Sequence, residues 1–260
     1  MKLPLPYNYQ RKNVHAHLRM QKAVPFLVSE LINLGVRLRR SKILPSGMKE
    51  LDEIRLHARK WSDLSDHLEN LFVLAMEQRP RLIVELGVRG GESTLVFDHV
   101  ARICHSKIVS VDLEDCTDIT NFSNWTFVQK DDVQFGREFG EWCREHNTDS
   151  KIDLLFLDTS HFFEHTLKEI EAWFPWLSDR GIVCFHDTNM RRIYRRRDGS
   201  RGVGWNNHRG VIRAIEQYFH KAFDERQDFV DLCNGWIIEH HANCSGLTVL
   251  KKIKVSEVER

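Results

Sequence analysis

The amino-acid sequence predicts a doubly wound α/β fold: a mostly parallel, seven-stranded sheet with helices on both faces and an antiparallel C-terminal strand. Three observations predict it. Short apolar runs recur at 81–86, 107–112, 125–129, 152–158 and 181–186, and in the first of them Leu82, Ile83 and Val84 run together rather than alternate, as in a strand buried on both faces. Between them lie stretches of helical length and period at 92–104, 133–146, 163–173 and 208–223. After them come two more apolar runs, 234–239 and 246–252, spaced as a terminal hairpin-like pair.

The elements follow in order. Residues 1–60 read as a basic, partly helical N-terminal extension, and 61–260 as one domain. Within the extension, 22–39 has a wide apolar stripe that starts or breaks at Pro25. Up to residue 45 its nine lysines and arginines face only Glu30. The apolar stripe is also a candidate homodimer contact. A better helix spans 62–79, opened by Ser62 or Asp63 and closed before Pro80. The net charge is +1, with 38 basic and 37 acidic residues, which argues against a nucleic-acid coat. The six cysteines form no C-x-x-C pair and read as reduced, in a cytoplasmic protein. The first residues turn polar before any signal-like apolar core forms, and no 18-residue apolar run offers a membrane span.

The most informative stretch is 82–95, LIVELGVRGGESTL: a strand, an acid, a glycine turn and a helix start. It is not the dinucleotide fingerprint, because position 92 is glutamate where the third glycine is needed. Glu85 at the strand end also suits a pyrophosphate badly. A cationic, phosphate-free cofactor such as S-adenosylmethionine accepts a nearby carboxylate. Ligands of such sheets bind beyond the carboxyl ends of the strands. All five ends carry acids: Glu85 before Gly87, Asp112, Asp131–Asp132, Asp158 and His186–Asp187.

Together, VELGVRGGEST (84–94), VSVDLED (109–115), the stretch from Ile152 to Thr188 with its L-D-x-x-H and HDT, RGVIRAIEQYF (209–219), NGWIIE (234–239) and GLTVLKK (246–252) resemble the class I methyltransferases. The branch is that of natural-product and sugar O-methyltransferases and cephalosporin hydroxylase-like proteins. The resemblance runs from about residue 80 to 252 and leaves the first fifty residues outside. It implies a Rossmann-like methyltransferase fold and S-adenosylmethionine as cofactor. Glu85, Gly87, Gly91 and Ser93 would line its methionine side and Asp112 would hold the ribose hydroxyls. Asp131 or Asp132, with Asp132 preferred, would face the adenine edge. In sugar methyltransferases of this branch three acids at the ends of strands four and five bind magnesium; the matching residues are Asp158, His186 and Asp187. With a histidine in the set, Mn²⁺ and other nitrogen-tolerant ions suit the site better than Mg²⁺. His186 has a second reading, in which it orients Asp187 or touches cofactor.

His161 is the expected general base, with Asp158 and Asp187 as its catalytic companions and His165 one helical turn further on. The arginine-rich loop 190–209 is expected to overhang the site as a mobile lid suited to an anionic substrate. The expected reaction is O-methylation of a hydroxyl on a sugar or secondary metabolite, with or without assistance from a metal. Two rivals stand beside it: a nucleic-acid methyltransferase using the arginine patches, and a non-methylating, cephalosporin hydroxylase-like relative.

Overall fold

A computed structural model describes residues 29–39 and 42–253. The expected helix over 22–39 is seen from 29 to 39 (α1); its first residues, and the remainder of the basic extension up to residue 28, lie outside the described residues. There follow α2 (Lys49–Ala58), α3 (Leu68–Gln78), β1 (Leu82–Leu86), α4 (Glu92–Cys104), β2 (Lys107–Asp112), β3 (Trp125–Gln129), α5 (Asp132–Glu145), β4 (Ile152–Leu157) and α6 (Phe163–Trp173). The chain closes with β5 (Leu177–His186), β6 (Ile193–Arg195), β7 (Arg201–Val203), α7 (Gly210–Phe219), β8 (Phe229–Cys233), β9 (Trp236–His241) and β10 (Leu247–Lys252).

The main sheet runs β3-β2-β1-β4-β5-β10-β9-β8. Its first five strands are parallel, and β10, β9 and β8 fold back as an antiparallel meander. The fold class is as expected, with one correction: the sheet has eight strands, not seven. β8 is an edge strand whose Val230 and Leu232 face solvent, so it offers no buried apolar run to read.

Strand alternation divides the core between two faces. Leu82, Val84 and Leu86 of β1 join Leu155 and Leu157 of β4 beneath α5, α6 and α7, around the buried Trp173, Phe135 and Phe139. Ile83 of β1 joins Ile108, Leu154 and Phe156 beneath α2, α3 and α4, with Phe97 and Leu71. Each face is closed by helices, as a parallel sheet requires. α2 belongs to the second core through the fully buried Ile54, so part of the expected extension packs into the domain's interior.

Two local expectations change. Residues 62–67 do not continue α3; Trp61 has φ 54 and the chain runs irregularly to Leu68. Those residues spend their backbone on distant partners instead: the Ser62 carbonyl accepts from Arg196 Nε (2.9 Å) and the Asp63 carbonyl lies 3.1 Å from His186 Nε2. The loop 190–209, expected as a mobile lid, forms the β6–β7 hairpin and is tied down. Arg201 N–H donates to Asn33 Oδ1 (2.8 Å) while Asn33 Nδ2 donates back to the Arg201 carbonyl (2.9 Å), and Arg197 N–H donates to Asp66 (2.6 Å). All six cysteines are unpaired. No helix of the described residues is long and apolar enough to cross a membrane.

Candidate active site

The glycine turn after β1 is braced from three sides. Gly87 has φ 88, and a Cβ there would lie 2.1 Å from the Asp158 carbonyl oxygen, so glycine lets the ends of β1 and β4 meet. Asp112 at the end of β2 accepts the amides of Val88 (2.8 Å) and Arg89 (3.1 Å) on one oxygen and that of Glu114 (2.9 Å) on the other. Glu85 falls on the α4 face of β1 and is fully buried. Its carboxylate accepts from Ser93 Oγ (2.6 Å), Thr94 Oγ1 (2.9 Å) and Ser110 Oγ (2.6 Å). Burial outweighs these donors and pushes the Glu85 carboxyl up to about 7. Ser93 is thus spent on Glu85, and Gly91, with φ 76, caps α4.

The second group lies at the ends of β4 and β5. His186 Nδ1 is 3.2 Å from Asp158 Oδ1 and 3.5 Å from Asp187 Oδ2. His161 Nδ1 is 3.1 Å from Asp187 Oδ2 and 4.0 Å from Asp158 Oδ1. The four residues expected to act together therefore do meet. Both His161 (φ 61) and Asp187 (φ 58) are left-handed, an unusual backbone for residues with side chains. α7 begins against His161: a Cβ at Gly210 would lie 2.3 Å from the His161 carbonyl oxygen. Asn207 Nδ2 donates to the Asp187 carbonyl (3.0 Å) and holds the other side.

Asp187 is 0% exposed, and neither carboxylate oxygen has a hydrogen bond; His161 is within ion-pair range but off the line a hydrogen bond needs. A buried carboxylate without donors is costly unless a cation meets it. His186 Nε2 faces a carbonyl, which only accepts, so the proton on Nε2 is fixed and Nδ1 faces the acids. Nδ1 is then either protonated, making His186 a cation, or a lone pair directed at a metal. Burial disfavours the His186 charge, but Asp187 and Asp158 outweigh it and hold its pKa well above the usual histidine value. Burial likewise raises Asp158, and the His186 charge and hydrogen bond, with His161 and Arg89, bring it well below the carboxylate range. One oxygen from each acid and one His186 nitrogen lie within 4.8 Å of one another, so the donor set fits a divalent cation.

Asp132 is drawn into a different cluster. Its carboxylate is 3.0 Å from His165 Nε2 and accepts the Val133 amide (2.8 Å), while His165 is 3.6 Å from Glu169. Thr159 Oγ1 donates to Glu169 (2.5 Å). Burial and the adjoining Asp132 keep the Glu169 carboxyl well above its ordinary value. His165 therefore serves the α5–α6 contact and stands apart from His161. Asp131 caps α5 through the Gln134 amide (2.8 Å).

Several neighbours of the group at the ends of β4 and β5 escape sequence reasoning. The Asp63 carbonyl is backbone and leaves no side-chain signal. His67 is buried with its ring 5.9 Å from His186; burial and then the His186 charge keep it neutral. Trp205, in the arginine loop, lies 5.9 Å from the His161 ring and 5.8 Å from Phe162, which is 52% exposed.

Residues 84–188 match the methyltransferase domain family. The chain is 33% identical over 125 residues to the uncharacterised protein y4gI of Sinorhizobium fredii, covering 44% of this chain and 14% of that protein. In structure it is similar to the methyltransferase MycE of the mycinamycin biosynthetic pathway, solved in complex with Mg and SAH. That match has a TM-score of 0.52 and 15% identity, over 81% of this chain and 56% of MycE. It is also similar to the SAH-bound methyltransferase PaMTH1 of Podospora anserina, with a TM-score of 0.51 and 14% identity over 97% of this chain and 99% of that one. The chain thus spans less than two thirds of y4gI and of MycE. The architecture it shares with both structures is the Rossmann-like methyltransferase fold.

Proposed function

From a chain that carries a methyltransferase domain on a class I methyltransferase fold, we propose an S-adenosylmethionine-dependent O-methyltransferase acting on a hydroxyl of a small molecule. The observation that carries the reading is the buried pair of His161 and Asp187, 3.1 Å apart at the end of the sheet where ligands bind. Its acceptor is a sugar or secondary metabolite, and the six unpaired cysteines support a reducing, cytoplasmic setting.

S-adenosylmethionine would supply an electrophilic methyl group. Gly87 and Gly91 would let it approach the backbone, braced by Glu85 and Ser93 from beneath the turn. Asp112 would exchange its amide partners for the ribose hydroxyls, and Asp132 would bound the adenine end through the start of α5. His161, with Nδ1 turned to Asp187, would present Nε2 to the acceptor and take the hydroxyl proton as the oxygen bonds to the methyl carbon and the methyl–sulfur bond breaks, its electron pair staying on sulfur in the departing thioether S-adenosylhomocysteine. Catalytic hydrogen bonds are often misaligned before substrate binds, as this pair is. Positioning and deprotonation account for most of the acceleration. Asp158, His186 Nδ1 and Asp187 would hold a divalent metal, Mn²⁺ better than Mg²⁺. Such an ion would lower the pKa of a bound hydroxyl. The orphaned oxygens of Asp187 support that assignment.

The test is calorimetric titration of S-adenosylmethionine into EDTA-treated protein, then with Mn²⁺ or Mg²⁺ added. Saturable binding that weakens at least tenfold in Asp112→Ala is expected. Absence of binding under every condition overturns the reading. A separate metal heat that disappears in Asp187→Asn supports the metal-assisted form, and an unchanged one removes it.

A further inference from the structure

A cavity of about 530 Å³ opens on the molecule between α1, α2 and the β6–β7 hairpin, within the size range of small-molecule sites. Val36, Ile43, Ala58 and Trp61 line it together with five basic residues. Arg39 and Lys42 enter from the end of α1 and the link after it, Arg55 and Arg59 from α2 and its end, and Arg197 from the hairpin. Three acids also line it against five basic residues, so the lining stays net positive, and each acid has hydrogen-bond donors of its own. Glu69 accepts from Arg55 (2.5 Å), Asp66 accepts the Arg197 amide (2.6 Å), and Asp198 accepts the Trp61 indole N–H (2.9 Å) and the Ser200 amide (2.9 Å). Neither Arg39 nor Lys42 has an acidic partner among the described residues.

Two further guanidiniums lie beside the cavity, that of Arg37 paired with Glu30 (3.8 Å). Trp61 on its wall carries the Arg37 guanidinium 5.0 Å from its ring and that of Arg196 at 5.7 Å. A neutral, apolar occupant would strip water from these cations and return nothing. A group of charge near −2, with several acceptor oxygens, satisfies cations converging from three elements at once.

We propose that this cavity is a binding site for the phosphate group of a small molecule. It is distinct from the catalytic group and shares a wall with it. Trp61, Ser65 and Asp66 face the cavity, while the Asp63 carbonyl, on the same irregular segment, lies against His186. Two sources fit this chemistry, a phosphorylated acceptor reaching across the segment and a separate phosphorylated effector.

Pyrophosphate, titrated into the full chain without methyl donor or metal, is the probe. The result therefore stands apart from the methyltransferase reading. Saturable binding at one site is expected, weakened at least tenfold in the paired variant Arg39→Gln with Lys42→Gln and unchanged in Arg180→Gln. Thermal melts of each variant establish that it is folded. Lack of saturation, an unchanged affinity in the paired variant, or equal loss in Arg180→Gln overturns the proposal. Once screening finds an acceptor, competition with pyrophosphate assigns the phosphate to the acceptor, and independent binding assigns it to an effector; either result keeps the site.

Discussion

Two clusters in this molecule offer nearly the same donors, two carboxylates and an imidazole, and they differ in what those donors lack. In Asp132–His165–Glu169, beneath α6, the Val133 amide, the Thr159 hydroxyl and His165 all meet the acids, and the raised Glu169 brings its own proton. The group is internally satisfied and ties α5 to α6. In Asp158–His186–Asp187 the Asp187 carboxylate is buried with neither oxygen hydrogen-bonded, and His186 is forced by the Asp63 carbonyl to turn Nδ1 toward the acids. Both sets of atoms are close enough to hold an ion. Proximity alone is therefore a poor criterion; what separates the clusters is a buried carboxylate whose oxygens carry no hydrogen bond although the His186 and His161 rings approach it.

The sharpest way to break this contrast is Asp187→Ala, which is expected to lower methyl transfer by about 10³-fold while leaving S-adenosylmethionine binding intact. Steady-state rates beside calorimetry check it, and full activity would make both clusters structural. His161→Ala should cost about 10²-fold, the ordinary contribution of a general base. Mn²⁺ binding, followed by its electron paramagnetic signal, should weaken roughly tenfold or more in Asp187→Asn and be untouched by Glu169→Gln. The reverse pattern would move the ion to the α5–α6 cluster.

Stability should separate the clusters in the other direction. Glu169→Ala removes a satisfied buried partner and should cost about 2 kcal/mol in urea unfolding, whereas Glu169→Gln, which mimics the protonated acid, should cost under about 1 kcal/mol. Equal losses would mean that Glu169 is ionised. The pH dependences have opposite signs. Asp158 is depressed below its ordinary 3.8, so its contribution is present above that pH and lost as pH falls through the folded value. Glu169 is raised above 4.5, so its contribution is full below that pH and declines as pH rises toward the folded value. Urea midpoints across pH should thus lose their acid-side drop in Asp158→Asn and their decline above pH 4.5 in Glu169→Gln.

Much of this was legible in particular residues. The apolar runs Leu82–Val84 and Leu154–Leu157 announce strands buried on both faces, and they are. α2 went unread although Leu51, Ile54 and Ala58 keep a helical spacing, because charged residues dilute the stripe. The hairpin at 193–203 was hidden by its own charge: arginines usually mark solvated loops, yet Arg196 is buried against Ser62 and Tyr194.

The division follows from the range of the forces involved. Local pattern, the period of apolar residues and a glycine turn after a strand, determined the α/β class, the five parallel strands and the acids at their ends. Which acid meets which histidine depends on side chains far apart in sequence. Asp132 and Asp158 look alike at the ends of neighbouring motifs, and only packing gave one to His165 and the other to His186. The Asp63 carbonyl that sets the His186 proton lies 123 residues away and is backbone, so no residue type announces it. Long-range pairing of that kind exists only once the chain has folded.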